Sequence, residues 1–179
     1  RQGFRVLGVG RGSWQEKEWP LSQESFHFEF LGLIAFQDPP KPNMDATIRQ
    51  FSRAGIAVKM ITGDHAETAL AIAAQVHLQH DHEVMTGQEV LSMPFETLKE
   101  QVRTTDIYAR MFPEAKLRVI DALKENGEIV AMTGDGVNDA PALKAAHICI
   151  AMGQRGSEVA RNAAALILTD DDLEIGRAH

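Results

Sequence analysis

The run MTGDGVNDAPALK, at residues 132–144, is the part of the sequence that decides the fold. An apolar stretch at 128–132 leads into it and predicts a β-strand, while residues 139–146 have the composition of a helix. The turn between them contains two glycines, one asparagine and two aspartates, more special residues than a plain turn needs. Glycine lets the backbone approach a ligand closely, and N–H groups at a helix start suit a phosphate. The run therefore predicts a functional turn.

The same order of strand, turn and helix occurs at two further places. The sequence ITGD, at 61–64, follows a short apolar strand, and Lys116 lies just past a predicted strand at 107–109. Ligands of an open parallel sheet bind at the carboxyl ends of its strands, so we expect Thr62, Lys116 and Asp135 in one crevice. A lone Thr-Gly-Asp is usually a capped turn and a lone lysine is usually solvated. Three such strand ends in one sheet favour a binding site.

The charges at these strand ends suggest which ligand would fit. Asp135 and Asp139 would repel a phosphate directly, but not if a divalent cation lay between them and the phosphate. Carboxylate oxygens are the ligands that Mg²⁺ prefers. Lys116, on the other side, would neutralise the charge of a phosphoryl group. We therefore expect a phosphate site with Mg²⁺.

The chain divides into two regions with different patterns of predicted secondary structure. Predicted strands at 4–9 and 26–36 are joined by a polar linker, and Phe26, Phe28 and Phe30 alternate with polar residues in a half-buried antiparallel pattern. Residues 37–43 contain three prolines and form a stiff connector.

Beyond the connector, short apolar strands alternate with helices. This order predicts an α/β fold with a parallel sheet between 43 and about 170, covered by helices on both faces. A polar loop is expected at 77–88. The predicted strands cover 56–61, 107–109, 128–132, 148–151 and 165–168. The predicted helices cover 44–55, 66–73, 95–102, 113–126, 139–146 and 157–163.

Composition excludes several classes of protein. The chain has 179 residues, of which 44% are hydrophobic and 24% charged, as is usual for a globular protein. Its net charge of −7 argues against a dedicated nucleic-acid binder, which needs a basic surface. Cys149 is the single cysteine, so no intrachain disulfide can form. No apolar run approaches the length of a membrane span, so we expect the chain itself to be soluble.

Four motifs occur in the order found in one known family. The run at 132–144 resembles the hinge motif of the P-type cation-transporting ATPases. DPPK at 38–41 resembles their Asp-Pro-Pro-Arg motif, MITGD at 60–64 resembles their Thr-Gly-Asp motif, and ARMFPEAK at 109–116 resembles their lysine motif. The resemblance extends from about residue 4 to 172 and is closer to the calcium/sodium type than to the heavy-metal type.

This resemblance implies a haloacid-dehalogenase fold and an aspartyl-phosphate mechanism that uses ATP and Mg²⁺. Residues 1–36 would be the C-terminal remnant of the nucleotide-binding domain, and 37–179 would be most of the phosphorylation domain. The parent protein would be a pump at the cytoplasmic face of a membrane. Its partners would be ATP, the rest of the pump chain and a cation carried by membrane helices absent here.

The resemblance also implies roles for four residues on the nucleotide side. Thr62 would hydrogen-bond the phosphoryl group, and Gly63 and Asp64 would line the nucleotide side. Arg110 would approach the phosphates of the nucleotide.

Four further residues would form the phosphoryl and metal side of the site. Lys116 would hold the phosphoryl oxygens and Asp135 would bind Mg²⁺. Asn138 and Asp139 would support this site, and Asp139 is a second expected metal ligand.

Two departures from the family leave other interpretations open. Lys41 replaces the usual arginine, which keeps the charge but loses the planar fork. The nucleophilic aspartate of Asp-Lys-Thr-Gly-Thr is absent and is expected upstream, so the chain alone should be inactive. The alternatives are a free-standing phosphatase of the same fold and a non-catalytic regulatory module.

Overall fold

The computed structural model describes residues 4–14, 18–19, 22–36, 39–78 and 84–173. Residues 37–38 of the predicted connector and the tail beyond 173 lie outside this part. Within it, no helix is both long and apolar enough to cross a lipid bilayer.

The first region is a two-stranded antiparallel ribbon. Strand β1, Arg5–Gly12, pairs with β2, Phe28–Phe36, and the register shifts between Val9 and Gly10. The antiparallel pairing was predicted from the alternating phenylalanines and is confirmed. The half-buried pattern is wrong, because side chains on both faces of β2 are exposed.

The rest of the described chain alternates strands and helices, which confirms the predicted α/β class. The strands are short. They are β3 Met60–Ile61, β4 Met85–Thr86, β5 Ile107–Ala109, β6 Ala131–Gly134, β7 Ile148–Met152 and β8 Leu166–Leu168. The helices are α1 Met44–Arg53, α2 Ala66–Gln75, α3 Gly87–Ser92, α4 Phe95–Thr104, α5 Pro113–Glu125, α6 Ala140–Ala145 and α7 Glu158–Ala163.

The parallel strands form two sheets of three instead of the single sheet expected. One has the order β3-β5-β4 and the other the order β6-β7-β8. Strands β3 and β6 are edge strands in this hydrogen-bonding pattern, and residues of both line one crevice. The edge of one sheet at β3 and the edge of the other at β6 therefore face each other across this crevice.

Strand β5 shows how helices cover both faces of the first sheet. Ile107 and Ala109 are buried in a cluster with residues of α1 and α2, whereas Tyr108 between them is buried in the cluster of α3, α4 and α5. Successive side chains of a strand point to opposite faces, so helices flank both sides of this sheet. The predicted two-sided cover is confirmed here. The larger cluster continues to Met132 on β6 and Ala151 on β7, so the two sheets share one apolar layer.

The loop predicted at 77–88 is wrong for residues 85–88, which form β4 and the start of α3, while residues 79–83 lie outside the described part of the chain. Thr86 and Glu89 form a capping box. The Thr86 N–H donates to Glu89 Oε2 at 2.7 Å, and the Glu89 N–H donates to Thr86 Oγ1 at 3.4 Å. The hydrogen bonds from Thr86 lower the pKa of Glu89. The Thr-x-x-Glu pattern is a sequence signal of a helix start, and it marks the true boundary.

Candidate functional site

A crevice of about 1170 Å³ lies between the two sheets. Its lining includes the edge strands β3 and β6, and the apolar residues Val102, Ile120 and Leu123 of α4 and α5 also contribute. The polar residues at the carboxyl ends of β3 and β6 lie in the same lining. Five of the residues predicted for the site line the crevice, namely Thr62, Gly63, Lys116, Asp135 and Asp139.

Lys116 and Asp139 form the most buried ion pair of this crevice. Lys116 lies in the first turn of α5, which begins at Pro113, and its Nζ donates to Asp139 Oδ1 at 2.6 Å. Only 12% of the Lys116 side chain and 13% of the Asp139 side chain are exposed. The second oxygen of Asp139 accepts the Gly136 N–H at 3.2 Å. Asp139 therefore holds the ammonium group and the turn after β6 in one arrangement.

Gly134 is required for this arrangement. A Cβ atom at Gly134 would lie 2.8 Å from the Cβ of Asp139, closer than side-chain carbons approach. The missing side chain lets Asp139 fold back against the end of β6, where it reaches Lys116. The first glycine of the run at 132–144 thus has a packing reason.

The carboxylates of the crevice provide oxygen ligands of the kind that Mg²⁺ uses, but few of them. Asp135 is exposed at the end of β6, whereas both oxygens of Asp139 already accept hydrogen bonds. Within the described ranges, no three His, Cys, Asp or Glu side chains are grouped so that they could hold a metal ion. An ion at Asp135 would therefore complete its shell with water, phosphate or carboxylate oxygens from elsewhere.

The turn after β3 is tied to the neighbouring strand. The Thr62 N–H donates to the Tyr108 carbonyl at 2.9 Å, and the Met111 N–H donates to the Thr62 carbonyl at 2.9 Å. The Thr62 hydroxyl accepts the Asp64 N–H at 3.1 Å and lies 3.3 Å from Asp64 Oδ2. These contacts fix the hydroxyl at the crevice, while Asp64 is not among the lining residues.

Arg110 lies beside the crevice, outside its lining. Its backbone is in the left-handed region, with φ of 49°, and its N–H donates to the Asp64 carbonyl at 2.7 Å. The Arg110 side chain is exposed, and its Nη2 lies 2.8 Å from His65 Nδ1 at the start of α2. Asn138 is also exposed and outside the lining, in the short 3-10 turn before α6. The structure therefore does not bring Arg110 and Asn138 into the crevice with the other five.

One charged pair of the crevice was not predicted. Lys59, just before β3, donates to Asp106 Oδ1 at 3.0 Å and to the Thr105 carbonyl at 2.8 Å, and both Lys59 and Asp106 line the crevice. The pair lies where β3 and β5 begin, at the opposite end from Thr62. No local sequence pattern links two residues so far apart, so only the strand register reveals it.

The fold agrees with comparisons against known proteins. Residues 5–147 match the haloacid dehalogenase-like hydrolases, and the chain belongs to this family. Over 96% of its length it is 46% identical to the probable cation-transporting ATPase F of Mycobacterium tuberculosis and 44% identical to the human calcium-transporting ATPase type 2C member 2. A calcium-transporting ATPase of Listeria monocytogenes is 45% identical over the same share.

These relatives confirm the resemblance that the four motifs indicated. The chain spans 20%, 17% and 20% of their lengths, about a fifth in each case. The similarity therefore concerns one segment of proteins that are much longer.

Proposed function

We propose that the chain is a catalytic part of an ATP-driven cation-transporting pump that works through an aspartyl-phosphate intermediate. The observation that carries this proposal is the crevice in which Thr62 and Asp135, at the ends of β3 and β6, lie together with Lys116 of the first turn of α5. Relatives named as cation- and calcium-transporting ATPases support it. The parent would act at the cytoplasmic face of a membrane, with a transported cation and the rest of the pump chain as partners.

In this proposal, residues 37–179 belong to the phosphorylation domain and 1–36 are the C-terminal remnant of a nucleotide-binding domain. The distribution of buried residues supports the division. The region beyond residue 43 has its own apolar clusters, whereas the ribbon of β1 and β2 exposes apolar side chains such as Leu7 and Leu33. A ribbon of this kind fits a sheet whose other strands lie elsewhere in the protein.

Lys116 and Thr62 would bind the γ-phosphoryl group of ATP. The Lys116 ammonium, held by Asp139, would stabilise the negative charge that spreads over the phosphoryl oxygens during transfer. The Thr62 hydroxyl would donate a hydrogen bond to the same group. The Thr62 hydroxyl would have to turn its proton from Asp64 Oδ2, which accepts it at 3.3 Å, toward the phosphoryl oxygen, whereas Asp139 already holds the Lys116 ammonium in place.

Gly63, Asp64 and Arg110 would serve the nucleotide side. Gly63 lines the crevice and leaves room for the phosphates, and Asp64 keeps the Thr62 turn in shape. Arg110 would turn from His65 toward the nucleotide phosphates.

Asp135 would hold Mg²⁺, which would neutralise phosphate charge when bound. The exposed position of Asp135 at the crevice suits this role. Asp139 would contribute mainly by positioning Lys116, since its oxygens accept hydrogen bonds from Lys116 and Gly136. Asn138 would support the turn.

The transfer itself needs a nucleophile that these residues do not provide. A carboxylate oxygen would attack the γ-phosphorus, the bond to ADP would break, and ADP would leave. The 179 residues contain no Asp-Lys-Thr-Gly-Thr sequence. We propose that a segment outside them supplies the aspartate and lies as an extended strand between the facing edges of β3 and β6.

Phosphorylation from labelled ATP tests this proposal. The 179-residue chain with Mg²⁺ and γ-labelled ATP should give no covalent label. The chain extended upstream in its own gene should give an acid-stable, hydroxylamine-sensitive label that is lost when the upstream aspartate is changed to asparagine. A stoichiometric label on the 179 residues alone would overturn the proposal. Release of phosphate from small phosphomonoesters without labelling from ATP would favour a free-standing phosphatase.

A further inference from the structure

Asp171 is a buried carboxylate that no part of the proposed chemistry uses. It follows β8, is only 6% exposed, and its backbone is in the left-handed region with φ of 58°. Its two carboxylate oxygens accept the N–H groups of Gln154 and Arg155, each at 2.9 Å. Its own N–H donates to the Leu168 carbonyl at 3.1 Å. The side chain is therefore fixed against the loop that follows β7.

The surroundings keep this carboxylate charged. Burial alone would raise the pKa of Asp171. The N–H donors of Gln154 and Arg155, together with the charge of Lys41, outweigh burial and lower that pKa. Hydrogen bonds from N–H groups to an ionised carboxylate are stronger than those between neutral groups. Asp171 thus holds the loop that follows β7, residues 153–157, by charge-assisted hydrogen bonds.

On one side, Asp171 is joined to the connector that leads from the ribbon to α1. The Lys41 ammonium donates to the Asp171 carbonyl, and the Asn43 amide donates to both carboxylate oxygens of Asp172 at 3.1 and 3.2 Å. These contacts join residues about 130 positions apart in the sequence.

At its other end, the loop held by Asp171 reaches the crevice. The Ser157 N–H, at its far end, donates to the Asp135 carbonyl at 2.7 Å. The Gly153 N–H donates to the Leu168 carbonyl at 2.8 Å, and a Cβ atom at Gly153 would lie 2.6 Å from that oxygen. Arg161 Nη1 also donates to the Gly153 carbonyl at 3.1 Å. The loop is thus closely packed between Asp171 and Asp135.

We infer that Asp171 is a positioning residue for Asp135 and that it connects the Asp135 turn, through Lys41, to the connector. The contacts run from Lys41 to Asp171, through residues 153–157, to the Asp135 backbone. The assignment of Asp135 to Mg²⁺ rests on the proposed function, whereas the structural link does not. A displacement of the connector would then alter the geometry of the metal-binding turn.

The test compares ¹⁵N-labelled wild-type chain with Asp171→Asn and with Asp170→Asn, a matched control. Asp170 is the exposed neighbour of Asp171, and both changes remove one negative charge. Asp171→Asn should speed amide exchange of Gln154 and Ser157 at least tenfold and shift the amide resonance of Asp135. Asp170→Asn should change neither. Lys41→Met should shift the Asp135 resonance in the same direction by a smaller amount, and it also serves if Asp171→Asn does not fold.

Mg²⁺ titration separates this inference from the proposed function. Asp171→Asn should weaken Mg²⁺ binding several-fold, and Asp135→Asn should abolish it. Binding that survives Asp135→Asn would refute the metal assignment and leave the exchange data to judge the link. Unchanged exchange at Ser157 with an unshifted Asp135 resonance would overturn the role of Asp171. Faster exchange spread evenly to the amides of β5 would also overturn it, because that result would indicate a general loss of stability.

Discussion

Lys116 Nζ lies 2.6 Å from Asp139 Oδ1, and both side chains are almost excluded from solvent. The pair joins the first turn of α5 to the 3-10 turn after β6. A surface lysine is usually mobile in solvent, whereas burial and one carboxylate restrict the Lys116 side chain. Asp139 therefore holds the Lys116 ammonium in the position that the proposed phosphoryl transfer needs.

Loss of either partner should strongly destabilise the chain. In Lys116→Met, the buried carboxylate of Asp139 loses its ammonium partner, and removal of one member of a buried pair typically costs about 3 kcal/mol. The free energy of unfolding in urea measures this loss. Lys99→Met is the control, because its partner Glu96 is 82% exposed and surface pairs contribute less than about 1 kcal/mol. Equal losses in the two variants would contradict the prediction.

The two glycines of the run at 132–144 should respond differently to the same small change. In Gly134→Ala the new Cβ atom would overlap Asp139, and overpacking typically costs about 1–3 kcal/mol. In Gly136→Ala the nearest neighbour would be 3.5 Å away, which is ordinary contact. We expect Gly134→Ala to lower the free energy of unfolding by more, and to disturb the Lys116 resonances. A larger loss in Gly136→Ala would show that turn flexibility matters more than the packing of Asp139.

The exposed ribbon should make the isolated chain associate. Leu33 is 68% and Phe30 is 68% exposed, and an exposed apolar strand pair tends to bind another copy. Leu33→Lys should weaken association at least about tenfold, the effect of losing about 1.5 kcal/mol of apolar contact. Sedimentation velocity over a concentration series measures this. The control is Val159→Lys on α7, which adds the same charge at a 46% exposed site outside the ribbon. Equal effects would indicate that charge alone governs association.

Much of the fold could be predicted because its signals are local. The turns at ITGD and at 132–144 mark strand ends by their glycines and aspartates, and the short apolar run at 107–109 marks β5. The two-sheet arrangement could not be predicted in this way. Hydrogen bonds between distant segments decide that β3 and β6 are edge strands. In addition, the mostly apolar residues 56–59 and 128–130 would fit longer strands equally well.

The site residues that could be predicted are those that each lie in a recognisable sequence motif. Thr62, Lys116 and Asp135 each follow a strand, so their convergence follows from topology. The partnership of Asp139 with Lys116 joins residues 23 positions apart, and Asp171 accepts hydrogen bonds from backbone N–H groups, which every residue except proline possesses. Contacts of these two kinds leave no pattern in a single sequence.

Tyr108 should report the integrity of the shared apolar layer at high pH. It is the single tyrosine and is fully buried, and its hydroxyl makes no well-formed hydrogen bond with the described residues, although Thr105 lies near it. Burial, and then the nearby charge of Asp106, raise the pKa of Tyr108 well above the usual value of 10.0. A raised pKa means that the neutral phenol contributes stability fully below pH 10, and that this contribution falls as the pH rises toward the higher folded value.

We expect no tyrosinate absorbance near 295 nm at pH 10 to 11 in the folded chain, followed by a steep rise that coincides with loss of the circular dichroism of the helices. In Tyr108→Phe the alkaline loss of stability should be smaller, and at pH 7 the stability should change little, because no strong hydrogen bond is removed. A gradual titration centred near pH 10 with the helices intact would show that the Tyr108 hydroxyl reaches water, and that the apolar layer shared by the two sheets is open.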